Sequence, residues 1–137
     1  MVSYEVAVTA ELATNVAVGL VGIGGSPGES VFVKAGASTV EPATLIDVIG
    51  HYRMNIDKGN QARSGTQMVV IGDLAHPDVS DSEYRIKTLD NSGSPVTVEA
   101  DNAGNAWLIV GTDSGFEGLT HLYYHRITYT LTPLKPE

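Results

Sequence analysis

The sequence predicts an all-β domain, an antiparallel β-sandwich or small barrel with at most one short helix near residues 42–52. Three observations carry this. Apolar residues alternate with period two in several stretches, as in Tyr4, Val6, Val8 and Ala10. Those stretches are rich in β-branched and aromatic residues. Each ends at a turn containing glycine, at the short spacing of sandwiches and barrels. At 137 residues the chain reads as a single β domain, residues 1–137, large enough for a real core. It carries an extended N-terminal strand at 1–11 and a short extended tail at 133–137.

Taken in order, Ser3 to Glu11 is the first strand, and Val16 to Ile23 is a second apolar stretch broken by Gly19 and Gly22. Gly22 to Gly28 is a turn or loop, because so many glycines stabilise no regular element. Ser30 to Lys34 is a short strand leaving through Gly36. Thr39 to Asp57 reads two ways. Leu45, Val48, Ile49, Tyr52 and Ile56 fit helical spacing with Pro42 in a first turn. β-Branched residues and Gly50 instead favour two strands, Thr44 to Ile49 and His51 to Ile56, the preferred reading. Polar loops at Asp57–Gly65 and Asp73–Ser82 flank a strand from Thr66 to Ile71. Glu83–Leu89 and Pro95–Ala100 follow as strands joined through Asp90–Gly93.

Gly104 to Leu134 is expected to be the hairpin around which the rest packs. Ala106 to Thr112 is a short apolar run suited to burial on both faces. The last strand alternates, with Tyr123, His125, Ile127, Tyr129 and Leu131 on one side and Leu122, Tyr124, Arg126 and Thr128 on the other. Trp107, the only tryptophan, is expected in the core beside Val6 or Val8 and Ile127. A hydrogen-bonded place in the core or an interface is expected for His125.

Composition narrows the function. Charged residues are 18% of the chain and its formal net charge is -8. The eight Lys and Arg residues form no cluster, so the positive stripe of a nucleic-acid binder is missing. Without cysteine, disulfides and thiolate metal sites are excluded. The opening Met-Val-Ser-Tyr-Glu lacks a basic signal region, and Val16–Ile23 is too short to span a bilayer. A soluble chain made in a cytoplasm, with no signal peptide and no membrane partner, is the expectation.

Catalytic and cofactor motifs fail on their own chemistry. Gly28-Glu29-Ser30 places a glutamate where a phosphate loop needs lysine. Asp113-Ser114-Gly115 is similar to the catalytic turn of dimeric aspartic proteases of the retroviral kind, which share one proton between two aspartates. Here the turn comes too late in the chain, and Asp113 is expected to serve only backbone geometry. Arg63-Ser64-Gly65 resembles the motif of trimeric dUTP-hydrolysing enzymes, without that family's other motifs. His121 and His125 would lie about 13 Å apart along a strand, too far to share a metal, and His76-Pro77 is expected to shape a loop. Asp73, Asp78, Asp81 and Glu83 offer oxygen ligands of the kind calcium takes. No catalytic residue, cofactor or metal ligand is assigned.

A compact β domain poor in charge, with a glycine-rich loop and extended ends, resembles accessory proteins of tailed-phage virions, specifically head-decoration or cement proteins. The resemblance implies a virion location and a homo-oligomer, often a trimer, seated on a major capsid protein. Its interface is expected at Tyr4, Val6 and Val8, through strand addition, at Gly24 and Gly25, and at Pro133 and Leu134. Alternatives are a tail-tube or tail-fibre component, a carbohydrate-binding β-sandwich module stacking sugars on Trp107 or tyrosines, and the dimeric protease.

Overall fold

The alternation at the N-terminus becomes the centre of the molecule. In the structure, a computed structural model describing residues 1–135, the described residues form strands and no helix. These are β1 (Ser3–Thr14), β2 (Val16–Ala17), β3 (Val31–Ser38), β4 (Thr44–Ile46), β5 (Tyr52–Met54), β6 (Met68–Asp73), β7 (Ala75–His76), β8 (Arg85–Asp90), β9 (Val96–Glu99), β10 (Trp107–Ser114) and β11 (Tyr123–Pro133). Of the predicted extended exit, Pro136 and Glu137 lie outside the described residues.

Two antiparallel sheets face each other. In one, β1 lies between β11 on one side and β8 and β9 in succession on the other. In the other, β3 lies between β10 and β6. Val6, Val8, Ala10 and Leu12 of β1 meet Val31, Val33, Ala35 and Ala37 of β3 in one core with Val69, Ile71, Leu74, Val96 and Val98. This is a sandwich rather than a closed barrel.

The expected hairpin at Gly104 to Leu134 does not form. β10 and β11 pair with different sheets and each is an edge strand. They meet through Tyr129, whose hydroxyl donates to the Ile109 carbonyl at 2.8 Å. The strand buried on both faces is β3 instead, which runs straight through Gly36. Cross-strand pairing decides where Trp107 goes. Leu108 and Val110 pair with the core residues Ala37 and Ala35, so Trp107, opposite Ser38, takes the outer face. It is half-buried there and is not a core residue.

The last strand departs from its predicted parity for a local reason. Glu11 pairs with Arg126 and Leu12 with Tyr124, leaving His125 as the extra residue of a β-bulge. A bulge resets the alternation. Tyr124 therefore shares the core side with Ile127, Tyr129 and Leu131, and His125 is exposed, not a core residue.

Between β8 and β9 the chain leaves the ladder, and Asn91 replaces the missing rungs. Its Oδ1 accepts from the Val8 amide at 2.8 Å, and its Nδ2 donates to the Val6 carbonyl at 2.9 Å. Both backbone groups are buried, so Asn91→Ala orphans a donor and an acceptor. The expected cost is about 1–3 kcal/mol, read as a lower urea midpoint at unchanged slope. A change within about 0.5 kcal/mol, the range of ordinary surface substitutions, contradicts this role.

Candidate assembly surface

The ambiguous segment is a hairpin, shorter than its two predicted strands. β4 and β5 pair only with each other, over three residues each. Asp47 organises the turn. Its Oδ1 accepts from the Ile49 and His51 amides, and its Oδ2 from Arg53 Nε at 2.7 Å. The Arg53 bond, with help from the His51 and Ile49 amides, holds the Asp47 carboxyl below its ordinary value. Gly50 closes the turn at φ +85°, a left-handed conformation that favours glycine.

This ordered hairpin buries almost none of its apolar surface. Leu45, Ile46, Val48, Ile49 and Tyr52 are all exposed, Val48 completely. Leu45 and Ile46 are neighbours on opposite faces of one strand, so neither face turns to the core. A second exposed apolar group, Val18, Leu20, Val21 and Ile23, lies on the connection after β2. There the Glu117 amide donates to the Ile23 carbonyl at 2.8 Å.

Behind the hairpin, the outer face of the β10–β3–β6 sheet carries a charged lock. Lys34 is 1% exposed, and its ammonium donates to the Lys58 carbonyl at 2.6 Å, the Arg63 carbonyl at 3.0 Å and Asp113 at 3.1 Å. The same Asp113 oxygen accepts from Lys58 Nζ and the Gln61 amide, both at 2.9 Å. Burial raises the Asp113 pKa, but hydrogen bonds from Lys58, Gln61 and Lys34 outweigh it and hold the carboxyl below its ordinary value. The lock clamps the 57–65 loop over the sheet. Next to it lies a cavity of about 220 Å3, lined by Met54, Ile56, Met68, Ile109 and Gly111 with Lys34, Lys58 and Asp113 at its polar end.

The residues expected at an interface divide. Val6 and Val8 are in the core, and Tyr4 packs against it. β1 is paired along both edges, so it has no free edge for a neighbour's sheet. That corrects the strand-addition expectation. Gly24 and Gly25 lie in a loop against Gly115, and Gly24 is exposed. Pro133 pairs with Tyr4, and the Leu134 amide donates to Ser3. Both side chains remain exposed. None of these four lies on the hairpin. In the sequence the hairpin showed only as a segment whose apolar residues fit both a helix and two strands.

The rejected chemistry takes definite positions. Asp113 and Ser114 are strand residues, and Asp113 is an ion-pair anchor rather than a residue of turn geometry alone. Two ammonium groups on its carboxylate oppose the proton sharing that an aspartic dyad needs. His76 does shape its loop, with Nδ1 accepting from the Asp78 amide and Nε2 bonded to the Ile86 carbonyl. In the acidic loop, Asp73 is taken up by Lys87, and Asp81 and Glu83 face Arg85. Among the described residues no three His, Asp or Glu side chains are grouped to hold a metal. No helix of the described residues is long and apolar enough to cross a membrane.

Neither the protein-family models, nor the curated proteins, nor the solved structures contain a match to this chain.

Proposed function

We propose that this chain is a structural subunit of a symmetric assembly, a virion protein of the capsid decoration or cement type that bridges neighbouring subunits. The observation that supports this most is the β4–β5 hairpin, a hydrogen-bonded arm with five large exposed apolar side chains. Monomeric proteins rarely gather this many large exposed apolar side chains in one short segment. The adhesive element in this reading is the hairpin, with the Val18–Ile23 connection as a second contact, and not β1. The partners are further copies of the chain and the shell protein beneath them.

The reading is tested by light scattering at tens of micromolar protein. Wild type is expected to be oligomeric, and Val48→Asp/Ile49→Asp to be monomeric with an unchanged circular dichroism spectrum. Electron microscopy of whatever the wild type co-purifies with identifies the shell. A wild type that stays monomeric alone and binds no particle overturns the proposal.

A further inference from the structure

Gly111 lies on the outer face of β10, opposite Lys34, where a side chain would be expected to cover the sheet. A Cβ built there meets nothing within 4 Å. The empty volume is the mouth of the 220 Å3 cavity, walled by Met54, Ile56, Met68 and Ile109. Its charged end offers an incoming ion little. Lys34 and Asp113 are already bound to each other, to Lys58 and to backbone groups. An apolar side chain is therefore the occupant whose chemistry fits.

The same molecule's hairpin tip does not reach this cavity. Met54 forms both the hairpin base and the cavity wall, and the tip lies roughly 13 Å further along the strands at ~3.3 Å per residue. The ladder and the Asp47 bonds hold the tip extended. Beside the cavity, β10 has an edge that no described residue pairs with. The Gly115 amide bonds Ser30, so the odd residues face β3, and the N–H and C=O groups of Leu108, Val110 and Thr112 point outward.

We infer that the cavity at Gly111 is a socket for the β4–β5 hairpin of a second copy, with Val48 or Ile49 entering it while the hairpin backbone runs beside this edge of β10. Leu45 faces away from Ile46 and Tyr52, so one face and the tip of the hairpin, Ile46, Val48, Ile49 and Tyr52, present roughly 300 Å2 of apolar area. That is the larger part of the apolar share of the ~800 Å2 per partner buried in a standard interface. Socket and tip lie on different parts of the surface, so successive copies can join arm to socket and close into a ring, or two copies can exchange arms. This inference rests on the proposed arm-mediated assembly and adds the receiving site.

The chain has no cysteine, which allows a direct test. Chains carrying Val48→Cys are mixed with chains carrying Gly111→Cys and oxidised. Disulfide-linked heterodimers are expected, at least tenfold faster than when Leu119→Cys, another exposed site, replaces Val48→Cys. In parallel, Gly111→Leu, whose Cβ meets nothing within 4 Å, extends into the socket and is expected to weaken self-association at least tenfold. If Gly111→Leu assembles like wild type while Val48→Asp/Ile49→Asp is monomeric, the socket is wrong and arm-mediated assembly stands. If Gly111→Leu blocks assembly but the arm variant does not, the arm is not the occupant. If all three assemble alike, both readings fall. Should Gly111→Leu misfold, the crosslinking rates decide, and equal rates for Val48→Cys and Leu119→Cys overturn the inference.

Discussion

Asp113→Ala is expected to cost about 3–5 kcal/mol, the penalty for removing one partner of a buried ion pair. The cause is Lys34, which is 1% exposed and cannot recover water when its counter-charge leaves. Asp113→Asn should also be costly, because an amide cannot neutralise two ammonium groups. Lys34→Met/Asp113→Ala should recover much of the loss, since the uncompensated charge is gone. Urea unfolding of the three variants checks this. A cost for Asp113→Ala below about 1 kcal/mol, the range of exposed pairs, would mean that the lock is open in solution. The pH dependence follows from the depressed carboxyl. Its stabilisation is complete above the unfolded value near ~3.9 and is lost as pH falls through the lower folded value. Wild type and Asp113→Ala should therefore begin to converge in stability below about pH 4 and meet only below the folded value.

Gly36→Val is expected to be as damaging, for a steric reason. A Cβ at this position would overlap the Gln67 carbonyl oxygen and lie 2.8 Å from the Met68 Cα. Both obstacles are backbone, and the Ala37 amide bonds the same Gln67 oxygen at 3.0 Å, so no side-chain rotation relieves the overlap. The start of β6 must move away from β3. A loss of about 3 kcal/mol or more is expected, at the upper end of overpacking effects, measured as thermal midpoint and urea midpoint. Amide exchange should quicken first at Met68 and Val69. A variant with wild-type stability would show that the crossing of residues 65–67 over β3 is not tight.

The fold class was legible because its signal is local. Tyr4, Val6, Val8 and Ala10 alternate cleanly, and the core uses that face of β1. Partner choice was not legible, because strand pairing is non-local. Ala106–Thr112 and Tyr123–Thr132 are neighbours in sequence and were read as one hairpin, yet their partners are β3 and β1. A one-residue bulge at His125 was enough to move Tyr124 to the core side of the strand. Lys34 read as one scattered basic residue, since nothing in its neighbourhood announces Asp113 or the carbonyls of Lys58 and Arg63. The two strands of the hairpin were legible, but their exposure was not, because periodicity does not distinguish an apolar residue that is buried from one left exposed.

The pairing of Tyr4 with Pro133 joins positions almost a full chain length apart. During synthesis, β1 leaves the ribosome before β8, β9 and β11 and waits for them. Until β11 emerges, Val6, Val8, Ala10 and Leu12 sit in a strand lacking its longest partner, open to pairing with other nascent chains. Such distant contacts make folding slow. Expression should therefore depend on temperature and chaperone supply, and truncation before Pro133 should yield aggregated chains rather than a trimmed domain.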